Sequence, residues 1–191
     1  MIDFLIQTDK DLFLFLNALN TTWLDPVMWL FSGKYFWIPL YLAVLTWSVI
    51  KHKWNALWFL LFAIITLAAC DQISVVIKFA TERPRPSHNP DFAGVVHHVN
   101  NYKGGAYGFV SSHAANTFGF AIFSLVAIKK RWFTISILTW AIVVSYSRIY
   151  LGVHYPADIT CGAILGMSLG YLIFKVFQIT IKKFPIKQVK K

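Results

Sequence analysis

Apolar residues gather in five stretches that alternate with short polar segments along the chain. A transmembrane helix needs about 20 apolar residues, with a lower limit near 17. The stretches run over Tyr35–Ile50, Trp54–Ile77, His113–Ile128, Trp132–Ser147 and Ala157–Phe177. Three of them are 16 residues long and need polar flanking turns in order to cross. The pattern predicts an all-α, polytopic membrane helical bundle with five transmembrane helices.

Residues 1–32 have a different pattern, in which acidic and basic residues interrupt the apolar ones at Asp3, Asp9, Lys10 and Asp11. Such mixing is typical of an amphipathic helix that lies in the membrane interface. A second short helix is expected over Leu24–Phe31. In the alternative, this second region forms a sixth span.

Composition agrees with a chain that folds in a bilayer. Hydrophobic residues make up 57% of the chain and charged residues only 14%, whereas soluble domains carry about 25% charged residues. Disordered and collagen-like chains are excluded by this balance. The net charge of +10 could indicate nucleic-acid binding, but the basic residues cluster at the ends of the apolar stretches. That placement favours a membrane surface over nucleic acid as the partner.

The basic clusters predict how the chain lies in the membrane. They stand at Lys51–Lys53, Lys129–Arg131 and in a tail over 178–191. With five spans all three fall on one side, which the positive-inside rule makes cytoplasmic. We therefore expect one domain over 1–191 in the cytoplasmic (inner) membrane, with interfacial helices over 1–32 and the bundle over 35–177. No obligate protein partner is expected.

Several cations break the positive-inside rule on the opposite, periplasmic side. They are Lys78, Arg83, Arg85, Lys103 and Arg148. Ionisable groups at membrane depth are costly and are functional candidates by default. The simplest alternative for each cation is that it reaches toward lipid headgroups. Their coincidence with two serines and two histidines at matched depth favours a phosphate-binding site instead.

The histidines on this side allow two interpretations, either structural residues at helix starts, with Asp158 as a cap and His113 satisfied by the backbone, or catalytic groups. His154 and Asp158 are four residues apart and share one face where a helix starts at Pro156. The carboxylate can hold one imidazole nitrogen while the other nitrogen attacks or takes a proton. Ser111, Ser112 and His113 open another helix, whose free backbone amides favour an anion.

A zinc site is the competing interpretation of the same residues. Its ligands would come from His97, His98, His113, His154 and Asp158. Nearby cations would repel a metal ion, and the chain has no His-Glu-x-x-His and no paired-cysteine motif. We therefore expect no metal.

Three segments resemble the motifs of the type 2 phosphatidic acid phosphatase family, membrane relatives of bacterial acid phosphatases and vanadium haloperoxidases. Lys78–Pro86 matches Lys-x6-Arg-Pro, and Ser147–Asp158 matches Ser-Arg-x5-His-x3-Asp. Between them, Val110–His113 resembles Pro-Ser-Gly-His, with Val110 in place of Pro and Ser112 in place of Gly. The essential serine and histidine of that motif are present.

The resemblance implies a role for each matching residue. His154 would attack phosphorus to form a phosphohistidine, Asp158 would orient it, and His113 would protonate the leaving oxygen and then activate water. The phosphoryl oxygens would be held by Lys78, Arg85, Ser111, the Ser112 amide and Arg148. No cofactor is implied. Arg83 is an extra cation beside the first motif, without an assigned role.

The resulting hypothesis is an integral membrane phosphatase that acts on a membrane lipid phosphate or polyprenyl diphosphate. Candidate substrates are undecaprenyl diphosphate, phosphatidylglycerophosphate, phosphatidate and the lipid A phosphates, with a slight preference for the first or a glycerophospholipid. One alternative is a phosphotransferase that passes the phosphoryl group to another lipid or sugar. The other is a non-catalytic lipid-binding or transport protein.

Overall fold

The computed structural model describes residues 1–186, which form seven α-helices joined by loops and 3-10 turns. The helices are α1 (Ile2–Asn17), α2 (Asp25–Ser32), α3 (Ile38–His52), α4 (Ala56–Thr81), α5 (Ser112–Ile128), α6 (Arg131–Tyr150) and α7 (Pro156–Lys183). The expected all-α fold is confirmed, and α3 to α7 correspond to the five apolar stretches. Three lysines of the expected basic tail, Lys187, Lys190 and Lys191, lie outside the described residues.

Three helices are longer than the apolar pattern predicts. α4 continues to Thr81 rather than Ile77, α6 to Tyr150 rather than Ser147, and α7 to Lys183 rather than Phe177. The apolar pattern stops where polar side chains begin. At two of these ends the helix continues through a polar residue, Lys78 or Arg148. The side chain of each hydrogen-bonds to a partner inside the protein.

The helices alternate in direction, so that the bundle has two chemically different ends. At one end, His52 of α3 packs edge-on against Phe177 of α7, and the carbonyl of Phe184 accepts a hydrogen bond from Trp58 of α4. This end also carries the basic clusters Lys51–Lys53 and Lys129–Arg131 and, in the last turn of α7, Lys182 and Lys183. The opposite end carries the long loop 82–111 and the motif residues, as the five-span hypothesis requires.

Helix α5 is at the centre of the bundle and packs against α4, α6 and α7. Interlocking aromatic rings fill the core near its middle, where Phe123 contacts Phe59, Phe174 and Phe177 at centroid distances of 5.1 to 6.0 Å. In a lipid environment such packing, rather than exclusion of water, holds helices together. The core therefore fixes α5 against α4 and α7.

The closest helix pair is α5 with α7, because glycines remove the side chains between them. Gly162, Gly166 and Gly170 recur every four residues on the α7 face that meets α5. A Cβ at Gly166 would come within 2.2 Å of the Ala115 carbonyl oxygen, and one at Gly170 within 2.3 Å of that of Gly119. Small residues at this spacing let helix backbones touch. The starts of α5 and α7, which carry His113 and Asp158, are thereby brought together.

The outer faces of the bundle are apolar. Within residues 1–186, three segments are long and apolar enough to cross a membrane, namely Tyr35–Thr81, which contains α3 and α4, then Arg131–Tyr150 and Pro156–Lys183. Helix α5 is apolar but has only 17 residues. Exposed side chains such as Ile64, Val76, Ile142 and Leu172 suit contact with lipid tails rather than water. The protein is an integral membrane protein.

The two N-terminal helices cover the motif end of the bundle. Phe13 of α1 is fully buried against Phe92 and Tyr155, while Phe4, Leu5 and Phe15 on its other faces are exposed. Helix α2 has eight residues, about 12 Å, which is too short to cross the hydrocarbon core alone. The two predicted short helices thus exist, and both contact residues around the motifs.

Candidate active site

The motif residues come from separate parts of the chain and meet at one end of the bundle. Lys78 lies in the last turn of α4, Ser112 and His113 begin α5, and Arg148 ends α6. His154 lies in the tight loop after α6, and Asp158 is in the first turn of α7. Two backbone hydrogen bonds, Arg85 N to Ala106 O (3.1 Å) and Gly108 N to Arg83 O (2.9 Å), pair the arms of the long loop and bring Arg85 to the same place.

His154 and Asp158 form a buried pair. The exposed fraction of His154 is 1% and that of Asp158 is zero. Asp158 Oδ2 lies 3.3 Å from His154 Nδ1 and also accepts a hydrogen bond from the Tyr155 backbone N–H at 3.0 Å. A carboxylate facing Nδ1 keeps the proton on that nitrogen, so that Nε2 presents its lone pair. The predicted pairing is present in the structure.

The lone pair of His154 Nε2 meets a guanidinium group. Arg85 Nη1 lies 2.9 Å from Nε2 and donates to the Val153 carbonyl at 3.0 Å. The pKa of His154 is lowered well below its usual value by burial and by the positive charges of Arg85, Arg148 and Lys78. The imidazole is therefore neutral near pH 7, as a nitrogen nucleophile must be.

Lys78 reaches across to the start of α5. Its Nζ donates to Ser112 Oγ at 2.5 Å, and the Ser74 hydroxyl donates to the same oxygen at 2.7 Å. Ser111 is fully buried, and its hydroxyl accepts from the Ala114 N–H at 3.4 Å as the N-cap of α5. A phosphate-binding role for either serine stays a prediction.

Arg148 is held by partners that the motifs do not contain. Its guanidinium donates to Ser32 Oγ of α2 and to the Tyr102 hydroxyl at 3.3 Å, and lies 5.5 Å from the centroid of the Tyr102 ring. Only 4% of Arg148 is exposed. The aromatic ring stabilises the buried cation, while the Arg148 Nε finds no partner in the described part of the chain.

His113 stands between the cations and a cavity inside the bundle. A backbone hydrogen bond joins its ring to Ser32, and the positive charges of Arg148 and Arg85 act on the ring electrostatically. The cavity has a volume of about 500 Å³, within the usual range of small-molecule sites. Its wall contains His113, Trp37, Tyr41, Asp71, Asn116 and Trp140. The Asn116 amide also donates to Asp71 at 3.4 Å, which ties α5 to α4.

Arg83 is an integral part of the site. Its Nη1 donates to Asp158 Oδ1 at 2.8 Å, and its Nη2 donates to Asp9 Oδ2 of α1 at 2.7 Å. Burial alone would lower the pKa of Arg83, but Asp158 and Asp9 outweigh burial and raise it. Arg83 therefore stays charged and balances the negative charge of Asp158.

Four residues near the site were missed by sequence reasoning, namely Asp9, Ser32, Tyr102 and Gly108. Gly108 contacts the His154 ring through its backbone, and a Cβ there would come within 2.9 Å of Asp158 Oδ2. None of the four lies in a recognisable motif. The one available signal was the acidic Asp9 in a segment otherwise rich in apolar residues.

The ligands of the alternative zinc site do not come together. Among residues 1–186, no three His, Cys, Asp or Glu side chains are grouped as metal ligands would be. His97 instead contacts Asp25 of α2 at 2.9 Å, and His98 faces the Leu151 carbonyl at 3.4 Å. The grouped charges are instead the cations Lys78, Arg85 and Arg148, which all act on the neutral His154 imidazole and have the chemistry of an anion site rather than of a metal site.

Comparisons with known proteins agree with this geometry. The family model described as PAP2 superfamily matches residues 55–182, which confirms the resemblance seen in the motifs. The lipid A 4'-phosphatase of Bacteroides thetaiotaomicron is 40% identical over 91% of this chain and 79% of its own length. That of Porphyromonas gingivalis is 34% identical over 92% of this chain and 75% of its own length.

A solved structure has the same arrangement of helices. The PAP2-type phosphatidylglycerolphosphate phosphatase from Bacillus subtilis superimposes with a TM-score of 0.69 at 25% identity. The superposition covers 94% of this chain and 89% of the other. The match with the family model begins at residue 55, so that α1, α2 and α3 lie outside it.

Proposed function

Since this chain belongs to the PAP2 superfamily, we propose that it is a lipid phosphate phosphatase that acts through a phosphohistidine and without a metal ion. The observation that carries this proposal is the buried His154–Asp158 pair, whose Nε2 lies 2.9 Å from Arg85 Nη1 and within the electrostatic influence of Arg148 and Lys78. Phosphoryl transfer depends mainly on positioning and on charge stabilisation. Here cationic side chains supply what a metal ion supplies in other phosphatases.

The first chemical step would break the bond between phosphorus and the lipid oxygen. The substrate phosphate would displace the Arg85 contact, and His154 Nε2 would form the new bond to phosphorus. His113 would donate a proton to the departing oxygen, while Lys78, Arg85 and Arg148 balance the charge of the equatorial oxygens. Asp158 would stabilise the positive charge that develops on the imidazole.

The second step would reverse these roles. His113, now neutral, would remove a proton from water, and the water oxygen would attack phosphorus. Inorganic phosphate would leave, and His154 would return to its neutral state. The two histidines therefore need different positions: His154 must lie opposite the leaving group, in line with the bond that breaks, and His113 must lie beside the leaving oxygen.

Among the candidate lipids, we propose a lipid A-type glycolipid phosphate as the substrate. The two relatives named lipid A 4'-phosphatase support this choice. The cavity beside His113 supports it too, because the leaving group must lie on the side of the general acid. Its wall combines the aromatic side chains Trp37, Tyr41 and Trp140 with the polar Asp71 and Asn116, which suits a sugar that carries hydroxyl and amide groups.

The proposed topology has five spans, α3 to α7, with the site on the periplasmic side of the inner membrane. The clusters Lys51–Lys53, Lys129–Arg131 and Lys182–Lys183 support this orientation through the positive-inside rule. A phosphorylated lipid would then meet the site in the outer leaflet.

Phosphate release by the purified protein tests the proposal. Wild type in detergent with EDTA should release phosphate from lipid A that carries a 4'-phosphate. His154→Ala should be inactive, and the control His88→Ala, which changes an exposed loop histidine, should keep full activity. Protein denatured in alkali during turnover of labelled substrate should carry phosphate on His154. Activity that is lost with EDTA and restored by a metal, or that survives in His154→Ala, would overturn the mechanism.

A further inference from the structure

A chain of charged contacts runs from the N-terminal helix to the nucleophile. It passes from Asp9 in α1 through Arg83 in the long loop to Asp158 and then His154. The successive distances are 2.7, 2.8 and 3.3 Å. Asp9 lies outside residues 55–182, the part that the family model matches.

The two oxygens of Asp158 have different partners. Oδ2 faces His154 Nδ1, and Oδ1 accepts from Arg83. Because the carboxylate is fully buried, its rotation about the side-chain bonds is set by these contacts rather than by water. Arg83, together with the Tyr155 backbone N–H that donates to Oδ2 at 3.0 Å, therefore determines how the carboxylate presents Oδ2 to the imidazole.

Arg83 belongs to a loop and needs contacts of its own to stay in place. The Tyr155 ring packs against one face of its guanidinium group, with 4.3 Å between the guanidinium carbon and the ring centroid. Asp9 Oδ2 accepts a charge-assisted hydrogen bond from Arg83 Nη2 at 2.7 Å. A guanidinium can bridge two carboxylates in a fixed plane, whereas the single ammonium group of a lysine cannot.

Asp9 also grips the helix that carries Asp158. Its Oδ1 accepts from the backbone N–H of Ala157, in the first turn of α7, at 2.8 Å. That N–H has no partner within the helix, and a carboxylate at a helix N-terminus is stabilising. One side chain of α1 therefore fixes both the arginine and the helix start.

We propose that Asp9 and Arg83 are positioning residues for the phosphatase reaction, which act through Asp158 to orient His154. The inference rests on the proposed function. It assigns to α1 a part in catalysis, in addition to its expected place in the membrane interface. Neither residue touches the phosphoryl group.

The expected effect is a loss of turnover with little loss of substrate binding. Asp9→Asn and Arg83→Gln should each lower kcat about 10- to 100-fold, the usual cost of removing a partner that orients a catalytic ligand, with KM within about twofold. Arg83→Lys should restore part of the loss because it keeps the charge. The matched control is Asp11→Asn, since Asp11 is an exposed acid of α1 whose carboxylate, among residues 1–186, accepts a side-chain hydrogen bond from Gln7 alone.

A double-mutant cycle separates this role from general stabilisation. If Asp9 acts through Arg83, the variant with both changes should lose no more activity than Arg83→Gln alone. Independent structural roles would give losses that multiply. Each variant is compared per mole of monodisperse protein on gel filtration, so that unfolded protein does not enter the comparison.

The pH profile gives a readout that a purely structural role would not move. Without the Arg83 cation, Asp158 should stabilise the charged imidazole more strongly, and the acidic limb of kcat/KM should move to higher pH. The groups that face His154 and stay unchanged in this variant are Asp158, Lys78, Arg85, Arg148 and His113. The proposal would be overturned if the acidic limb of kcat/KM stayed at the same pH and the activity losses of Asp9→Asn and Arg83→Gln multiplied in the double variant.

The measurement uses p-nitrophenyl phosphate and the lipid side by side. If wild type hydrolyses neither, the proposed function fails. If wild type is active while Asp9→Asn and Arg83→Gln keep kcat within twofold, only the positioning role fails.

Discussion

At the scale of single residues, the site works by keeping a histidine neutral among cations. Burial and the charges of Arg85, Arg148 and Lys78 all disfavour the imidazolium of His154. Asp158 acts against them, but Arg83 shares that carboxylate. The structure therefore holds His154 as a neutral imidazole, the state that the proposed nucleophilic attack requires.

This balance predicts activity at acidic pH. His154 must be neutral to attack, and its pKa is lowered, so that the loss of kcat/KM on acidification should have its midpoint below the ordinary histidine value of about 6.5. The profile is measured with p-nitrophenyl phosphate and corrected for ionisation of the substrate. A midpoint at or above 6.5 would contradict the assignment of the limb to His154.

The role of His113 depends on how much the leaving group needs a proton. His113→Ala should lower kcat/KM on the order of 100-fold for a lipid phosphomonoester, whose alkoxide is a poor leaving group. The loss should be much smaller for p-nitrophenyl phosphate, because p-nitrophenolate leaves unaided. The comparison is made on kcat/KM, since the same histidine also assists dephosphorylation. Equal losses would mean that His113 only binds phosphate.

At the scale of helices, the site depends on how closely α5 and α7 approach. Gly166 and Gly170 place the two backbones in contact. The first turn of α5 then supplies His113, and the first turn of α7 supplies Asp158. The backbone N–H of Ser111 donates to the Asp158 carbonyl at 2.9 Å and locks the two starts together.

A methyl group at this contact should therefore be costly. Gly166→Ala would place Cβ about 2.2 Å from the Ala115 carbonyl oxygen, and we expect a loss of about 1–3 kcal/mol in the free energy of unfolding. Thermal unfolding in detergent measures the change, and activity should fall with it. Gly105→Ala is the control, because no atom lies within 4 Å of the added Cβ. An unchanged melting temperature in Gly166→Ala would disprove the close contact.

Sequence reasoning found the helices and the motif residues for clear physical reasons. Apolar stretches show where helices cross, and a His-x3-Asp pair at a helix start has one sensible geometry. It could not find Asp9, Ser32 or Tyr102, because their roles come from the packing of distant segments rather than from spacing. The partner of Arg83 was likewise hidden, since Asp9 is 74 residues away in the chain.

At the scale of the whole molecule, charge separates the two ends of the bundle. The exposed basic turns lie at one end, while the cations of the site at the other end are buried or paired with carboxylates. This asymmetry can be checked in cells, because it predicts which end faces outward.

Cysteine labelling tests that orientation in intact cells. With Cys70 and Cys161 replaced, a cysteine at the exposed Gly105 should react with an impermeant thiol reagent, whereas one at the exposed Lys130 should react only after lysis. Both positions lie in turns, so that neither should disturb a helix. The reverse pattern would place the site in the cytoplasm.

The glycine contact between α5 and α7 also has a consequence for how the molecule opens. Two backbones in direct contact leave no room for water or lipid, and their amide hydrogens can meet solvent only when the pair separates. Hydrogen exchange should therefore be slowest along the shared face of Ala115, Gly119, Gly166 and Gly170, and should report global unfolding there. Amides of α1, which rests on the surface through one buried face, should exchange much sooner. The part of the protein that holds both histidines would then be the last to come apart.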